Sequence, residues 1–457
     1  MMSENEINLV KIVTFAWLLF WAFLSAKNII FKRYYSAYLV IIISFLFFGV
    51  PLLLDVVIGE PKYSFFAGLD NLRVAVRDET TLLVYCLYIA IVPVILWYNG
   101  IPKDKENHGR LLVNNQTFLV NLAGFGNRYK LGKQFKLLII LIGYFILFLP
   151  IILWAFSPNP GVYSTYGVKG VSMLSEAEDK FHDFIHLSSV LSLGGLITII
   201  ALQKNKNLSL MNLYFWASVL IPTFISVWLN GKRYIIAFVI FALILILLLK
   251  KAFSRVKILV FFLGLLLAFG IFSYSYQTSL VRSVATKQVY EISRFDYSRD
   301  PMLKLSIYSE LNPDKLKILD HRLQTVYHAL ILHIPRFLWP GKPLPYDYQV
   351  YITAASFNIS PKDINIRSFA LTGTWIAESL SNFGWVGAFI GPMTLALVCR
   401  FGDSTRNNFL IIFTSFLALN LISLSLGYTV LFLIIWLIFL TREYYTKKYK
   451  KYKGHKI

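Results

Sequence analysis

Long uninterrupted blocks of apolar residues constrain the fold of this chain more than any other feature. A helix needs about 20 apolar residues to cross the hydrocarbon core of a bilayer. Blocks of this kind occur near residues 7–26, 34–58, 80–98, 137–156, 184–202, 208–229, 234–249, 258–276, 383–399, 409–425 and 427–443. They lack the alternation of barrel strands, so they predict helices. We therefore expect an all-α polytopic membrane protein with about 11 transmembrane helices in a single integral membrane domain, residues 1–457.

The composition agrees with this class, since 57% of the residues are hydrophobic and only 15% are charged. The first block has no basic lead-in, and no small-residue cleavage pattern surrounds Lys27, so we do not expect a cleavable signal peptide. Cys86 and Cys399 lie in or at the end of different spans, which predicts no disulfide framework. Lys11, within the first block, is expected to face lipid.

The distribution of Lys and Arg predicts the orientation. The basic tail at 444–457 favours a cytoplasmic C-terminus, which leaves the N-terminus outside. With Arg442 and Glu443 counted to the tail, the inner segments then hold 25 Lys and Arg against four acids, and the rest of the chain holds 20 of each. The whole net charge of +21 thus lies on the cytoplasmic side. This argues against binding to nucleic acid, because the charge follows membrane orientation.

The last two blocks form nearly continuous apolar sequence, broken only around Ser425–Tyr428. Two spans keep the basic tail inside. One long tilted helix places it outside, which the charge distribution disfavours.

Residues 276–382, here called the late loop, are predicted to form a large extracytoplasmic loop and re-entry segment. Residues 322–334 carry an amphipathic helical pattern that Pro335 ends. A stretch of 22 positions gathers the cations His321, Arg322, His328, His333, Arg336 and Lys342, with Trp339 among them. This cluster favours a site for an anionic, lipid-linked substrate. An interfacial helix with solvated charges is the alternative. A zinc site is disfavoured, since the three histidines do not share a helical face.

Two other features place charge near the membrane. The short turn Asn230–Arg233 puts Lys232 and Arg233 between two spans on the outer side, where headgroup anchoring is the structural alternative. Glu378 lies in apolar surroundings just ahead of the ninth span, downstream of Arg367. It is either an ion-pair partner or a general base.

Together these residues resemble the Wzy-type polymerases that join O-antigen or capsular repeat units, and more distantly the O-antigen ligases. The matching features are the many spans, the turn Gly231–Arg233, one large late loop, the segment 334–343 (IPRFLWPGKP) and the segment 378–384 (ESLSNFG). One departure is that neither Arg322 nor Arg336 is followed eleven positions later by glycine, as in a loop motif of some polymerases. The roles of the loop arginines therefore rest on their chemistry.

The resemblance implies a metal-independent glycosyltransferase without a cofactor in the bacterial cytoplasmic membrane. Its donor and acceptor are glycans linked to undecaprenyl pyrophosphate, and its partners include membrane lipids and a chain-length regulator protein. A guanidinium suits the leaving pyrophosphate, and a His or carboxylate suits the acceptor proton. The implied catalytic residues are Arg233, Arg336, His333 and Glu378, and the implied substrate-binding residues are Lys232, Arg322, His328, Lys342, Arg367 and Trp339.

Two other classes stay open. A GT-C glycosyltransferase that uses a lipid-phosphate sugar carries an acidic motif in its first outer loop, where Asp78 and Glu79 stand. Beside Arg77, however, an interfacial salt bridge explains that pair. A glycan flippase predicts symmetric halves and a charged central cavity, which the one-sided charge disfavours.

Overall fold

A computed structural model of the chain describes an all-helical protein, with no strand in the described ranges. Those ranges are residues 3–32, 34–63, 68–102, 133–164, 175–202, 213–230, 264, 290–291, 294–295, 297–332, 334, 338–339, 341, 347–364, 371–405 and 407–454.

The longer helices are numbered here in chain order. The first eight are α1 (Glu4–Lys27), α2 (Ser36–Ser44), α3 (Val50–Val57), α4 (Asp70–Arg77), α5 (Glu79–Gly100), α6 (Lys133–Ala155), α7 (Glu176–Leu202) and α8 (Leu213–Asn230). After them come α9 (Asp300–Leu311), α10 (Gln324–Leu332), α11 (Tyr348–Phe357), α12 (Trp375–Phe383), α13 (Gly387–Asp403), α14 (Asn408–Ser423) and α15 (Leu426–Gly454).

The apolar blocks form helices that suit a membrane. Among the described residues, six helical stretches are long and apolar enough to cross a bilayer, namely Glu4–Phe31, Ser36–Val57, Glu79–Gly100, Leu137–Ala155, Trp375–Asp403 and Leu426–Tyr445. Three shorter apolar helices in the same ranges cover Phe184–Ile200, Tyr214–Asn230 and Leu410–Ser423. The predicted spans at 234–249 and 258–276 lie outside the described residues. The protein is therefore a helical membrane protein.

The described helices fall into two compact units. Unit 1 comprises α1–α5, α9–α13, α15 and the part of α14 from Phe413 onward, and unit 2 comprises α6–α8 with residues 407–412.

In unit 1, α2 and α5 pack against each other, and both α1 and α13 pack against these two helices. The contact at Gly100 is close, because an added Cβ there would lie 2.9 Å from the Cβ of Ala37 and 3.5 Å from the Cα of Ala396. Small residues at such points let membrane helices approach closely. Asp403 also accepts hydrogen bonds from the N–H and hydroxyl of Ser36 at 2.7 and 2.8 Å. Asp403, at the end of α13, thereby accepts from a backbone N–H at the start of α2 that has no partner within its own helix.

In unit 2, α6, α7 and α8 pack around a core that includes Leu147, Leu196 and Val219. Gly195 of α7 sets the closest approach to α6. A Cβ at this position would lie 2.5 Å from the carbonyl oxygen of Gly143, so only glycine fits.

The late loop folds into helices of unit 1. The first ten residues of α9, Asp300–Ser309, are all buried, and α9 packs against α4, α5 and α12. Helix α11 packs against α4, and α10 packs against α12 and α15. Much of the described loop is therefore part of the protein's core.

Helix α10 is shorter than its predicted range of 322–334. Its predicted apolar stripe is also largely exposed, since Leu323, Tyr327 and Leu330 are exposed. Thr325, Ala329 and Ile331 are buried. These three side chains face the protein, and the exposed part of the apolar stripe suits a helix at a membrane interface.

Several sequence expectations need correction. The ninth span begins at Trp375, so Glu378 lies within its first helix, α12, rather than ahead of it. Lys11 does not face lipid, because it is buried and paired with Glu60. Two other expectations agree with the structure. The break before Leu426 is present, and it separates α14 from α15. Cys86 and Cys399 are buried free thiols.

Candidate functional site

A cleft of about 330 Å³ opens in the late loop, between the end of α9, the turn that follows it and the end of α12. Its polar lining comes from Ser309, Glu310, Lys317, Asp320, Arg322 and Ser381. Its apolar lining comes from Pro313, Leu316, Ile318 and Leu319. Among the predicted substrate-binding residues, the structure places Arg322 here.

Arg322 forms a two-pronged ion pair with Glu310 across the cleft. Its Nη1 and Nη2 atoms donate to Glu310 Oε1 and Oε2 at 2.6 and 2.8 Å, and Nη1 also donates to the carbonyl oxygen of Ser381 at 2.8 Å. The Arg322 side chain is 57% exposed, whereas that of Glu310 is 9% exposed. The hydrogen bonds that Arg322 donates to Glu310 raise the pKa of Arg322, and burial opposes this. The pair is a fixed, charge-assisted contact.

The backbone beside Arg322 is held in an uncommon conformation. Leu323 has φ = 65°, in the left-handed region that side chains other than glycine seldom adopt. Its N–H donates to the carbonyl oxygen of Asn382 at 3.2 Å. Gly384 also has a positive φ, of 63°, and a Cβ there would lie 3.5 Å from Arg322 Nη2. Strained backbone of this kind is typical of functional sites.

Glu378, on α12, joins this helix to α10 and α15. Its side chain is fully buried, and its two carboxylate oxygens accept from the hydroxyl of Thr325 at 2.7 Å and from the N–H of Leu426 at 2.6 Å. Asn382 completes the cluster by donating to Thr325 Oγ1 at 2.7 Å and to the carbonyl oxygen of Glu378 at 2.8 Å. Both oxygens of Glu378 are thus engaged in holding α10 and α15 to α12. This arrangement favours a structural role for Glu378 over a general base, through hydrogen bonds from neutral groups and not through the expected ion pair.

A second carboxylate, Asp347, meets the start of α15 at the same break. Ser425 donates to its Oδ2 at 2.6 Å, and a Cβ on Gly427 would lie 2.5 Å from its Oδ1. Burial raises the pKa of Asp347, and hydrogen bonds from Ser425 and from backbone N–H groups act in the opposite direction. The N-terminus of a helix is the positive end of its dipole, where carboxylates are favourable. Glu378 and Asp347 therefore stabilise the start of α15.

A buried cluster of four charges lies at the start of α9, and the sequence did not reveal it. Arg294 donates to Asp300 at 2.6 Å and to Asp55 at 2.7 Å. Lys304 lies 3.1 Å from Asp300 and 3.7 Å from Asp55, with its Nζ 5.1 Å from the ring centroid of Tyr85. Two cations therefore balance two anions. The i, i+4 spacing of Asp300 and Lys304 was the only sequence signal.

Two of these charges have pKa values that follow from the pairing. Burial opposes ionisation of Asp300, but the charges of Arg294 and Lys304 outweigh it and lower its pKa to about 2. Burial likewise disfavours the charged form of Lys304, but Asp300 and Asp55 raise its pKa. Asp300 and Lys304 are therefore charged at neutral pH, and the cluster fastens α9 to α3.

Of the other predicted site residues, His328, Trp339 and Glu378 are described, and they do not line the cleft. His328 is partly buried on α10, its Nδ1 has no hydrogen-bond partner among the described residues, and burial lowers its pKa. Trp339 is partly buried. Six predicted residues lie outside the described residues: Lys232, Arg233, His333, Arg336, Lys342 and Arg367.

Unit 2 has a polar cluster of its own. The hydroxyl of Tyr163 and Nδ1 of His182 are 3.2 Å apart, and Asn230 donates to the carbonyl oxygen of His186 at 3.1 Å. Asn230 is the last residue of α8, and Lys232 and Arg233 follow it closely in the sequence. Sequence reasoning missed both histidines, which stand at the start of a block interpreted only as a span.

Asp78 has a structural role. Its Oδ2 accepts from the N–H and the hydroxyl of Thr81 at 2.8 and 2.7 Å, so it caps the start of α5.

Within the described ranges, no group of three His, Cys, Asp or Glu side chains is placed to hold a metal ion. Comparisons with protein-family models, curated proteins and solved structures returned no match.

Proposed function

We propose that this protein is a polymerase that joins oligosaccharide repeat units linked to undecaprenyl pyrophosphate. It works on the outer face of the bacterial cytoplasmic membrane, and the late loop contains much of its active site. The cleft at Arg322 and Glu310 is the observation that carries the proposal.

The position of the cleft suits a substrate with a polar head and a lipid tail. One wall contains Ser381 of α12, and α12 begins the helical stretch Trp375–Asp403, which is long and apolar enough to cross a membrane. The nearby helix α10 exposes the apolar side chains of Tyr327 and Leu330. A polar pocket beside such surfaces lets a sugar bind while its lipid stays in the bilayer.

The proposed reaction is a displacement at the anomeric carbon of the donor. The bond from this carbon to the pyrophosphate oxygen breaks, and its electron pair leaves with the pyrophosphate. The acceptor hydroxyl oxygen forms the new bond to the carbon and gives its proton to a base. Arg233 and Arg336 would stabilise the charge on the leaving group, since a guanidinium binds phosphate with two parallel hydrogen bonds.

The base is assigned to His333 in this proposal, because both carboxylate oxygens of Glu378 are engaged in helix contacts. Glu378 then acts as a positioning residue that fixes α10. Lys232, Lys342 and Arg367 would add positive charge near the pyrophosphate. A chain-length regulator protein is the expected protein partner.

The surface glycan of cells that lack the protein tests the proposal. Loss of a polymerase leaves a glycan of one repeat unit, because assembly and export of that unit continue. Loss of a lipid-phosphate-sugar glycosyltransferase instead removes one sugar from each unit. Loss of a flippase removes the surface glycan altogether. Mass spectrometry of the glycan before and after complementation separates the three results, and only the first supports the proposal.

A further inference from the structure

The charges of the cleft lining are balanced. Lys317 and Arg322 supply two cations, and Glu310 and Asp320 supply two carboxylates. A pyrophosphate in this space would meet both carboxylates. It would also have to displace Glu310 from Arg322, which already uses two guanidinium nitrogens in that pair. The lining therefore disfavours an anionic ligand.

The same side chains suit hydroxyl groups, which both donate and accept hydrogen bonds. Three of the five N–H donors of Arg322 are used in its contacts with Glu310 and Ser381. Two donors therefore remain for a ligand, and the carboxylate of Asp320 accepts. Leu316 and Leu319 add apolar surface against which the C–H groups of a sugar ring can pack. A volume of about 330 Å³ is in the range of small-molecule sites.

The cleft is also built before any ligand arrives. The ion pair and the Ser381 carbonyl fix Arg322, and the left-handed φ of 65° at Leu323 directs the chain back toward α12. At the other wall, Ser309 donates to the carbonyl oxygen of Leu316 at 3.0 Å and ties the turn to α9. Fixed polar groups reduce the entropy cost of binding.

We infer that this cleft binds an uncharged saccharide portion of the lipid-linked glycan, and that the pyrophosphate is held elsewhere. The inference rests on the proposed function and deepens it. Arg322 therefore recognises sugar hydroxyls, which replaces the sequence-based expectation that it contacts the anionic part of the substrate.

The test uses the full-length protein in lipid nanodiscs. Oligosaccharides are released by mild acid from the surface polysaccharide of the producing cells and separated by anion exchange into neutral and acidic fractions. Saturation-transfer NMR measures their binding, and inorganic pyrophosphate serves as competitor. We expect the neutral fraction to bind and pyrophosphate not to compete.

Two cleft variants and one control test whether the oligosaccharide binds in the cleft. Arg322→Lys and Asp320→Asn should each weaken binding about 10-fold or more, because the first loses the fixed donors of the guanidinium and the second loses the charge of a carboxylate acceptor. Asp320 is exposed, so its variant tests the cleft without disturbing a buried contact. Asp314→Asn is the matched control, since Asp314 is an exposed aspartate of the same turn that does not line the cleft. It should bind as the wild type does.

Binding of acidic oligosaccharides alone, competition by pyrophosphate, absence of binding, or full binding by both cleft variants would overturn the inference. Chain lengthening is measured on the same preparations. If lengthening occurs without neutral-sugar binding in the cleft, this inference fails and the polymerase proposal stands. If neutral sugars bind in the cleft without any lengthening, the cleft assignment stands and the polymerase proposal fails.

Discussion

Arg294 donates a hydrogen bond of 2.7 Å to Asp55, which lies 239 residues earlier in the chain. This contact joins the start of the late-loop helices to α3. Helix α9 then extends for 12 residues, or about 17 Å, to the cleft, where its penultimate residue is Glu310. The buried ion cluster thus determines where one wall of the cleft stands.

The first prediction concerns this cluster. Asp55→Asn leaves a buried excess of positive charge, so it should cost about 3–5 kcal/mol of stability. Thermal unfolding of the purified variants in one detergent gives the comparison. Asp70→Asn is the control, since Asp70 pairs with Arg73 but its side chain is 76% exposed, and it should cost less than about 1 kcal/mol.

The cluster also predicts coupling between its members. Adding Lys304→Met to Asp55→Asn removes the unbalanced cation, so the double variant should be less destabilised than the sum of the single variants. Strict additivity, or equal effects of Asp55→Asn and Asp70→Asn, would show that the four charges do not act as a unit.

The second prediction separates a positioning role from a catalytic role for Glu378. Glu378→Gln keeps the shape and one acceptor oxygen, so polymerisation should fall by less than about 10-fold. Loss of a general base would instead cost about 10²–10⁴-fold. Glu378→Ala leaves the O–H donor of Thr325 and the N–H of Leu426 without their acceptors, which costs about 1–3 kcal/mol each.

Initial rates and melting temperatures of both variants check this prediction. A Glu378→Gln enzyme that is stable but inactive would restore Glu378 as a catalytic residue.

The third prediction is a pH dependence from Asp347. Its pKa is raised in the folded state, so the folded protein holds this proton more tightly than the unfolded chain. The stability that Asp347 contributes is therefore fully present below the unfolded pKa, about 4, and is lost as the pH rises through the raised folded value. Asp347→Asn should remove this loss.

Melting temperatures between pH 4 and pH 8 give the test. The wild type should lose more stability over that range than Asp347→Asn does, and Asp363→Asn, at an exposed position, should follow the wild type. If the melting temperatures of all three proteins depend on pH in the same way, the pKa of Asp347 is not raised in the folded state.

The fourth prediction concerns orientation. Ser309 is buried, so Asp314, exposed in the turn after α9, is the better site for a label. In intact spheroplasts, Asp314→Cys should react with a membrane-impermeant maleimide. Ser404→Cys, exposed in a predicted inner segment, should react only after the membrane is disrupted. The reverse pattern would invert the topology and remove the proposed outer-face site.

The elements predicted from the sequence are those in which apolar residues follow a regular pattern. Apolar blocks marked the membrane helices, and a helical period marked α10, although its boundaries moved to Gln324 and Leu332. The break at Ser425–Tyr428 was visible because polar and small residues interrupt an apolar run there, and α14 does end at Ser423.

The charged contacts were harder to foresee. Helix α9 is buried along its first ten residues, so it has no polar face and no amphipathic period to detect. Glu310 is a single carboxylate near a helix end, and its pairing with Arg322 depends on how α9, α10 and α12 pack. Pairings between distant residues leave no local signal. The sequence identified Arg322 as a substrate-binding residue from its chemistry. That the cleft around it carries no net charge follows only from the three-dimensional structure.

The most direct test is chain lengthening by the purified protein in proteoliposomes supplied with lipid-linked repeat units. The account predicts a ladder of products that grow by whole repeat units, and this ladder should persist in EDTA. Separation of the products by size and mass gives the readout. Addition of single sugars, movement of substrate across the membrane without a new bond, or no product at all would contradict the proposed polymerase.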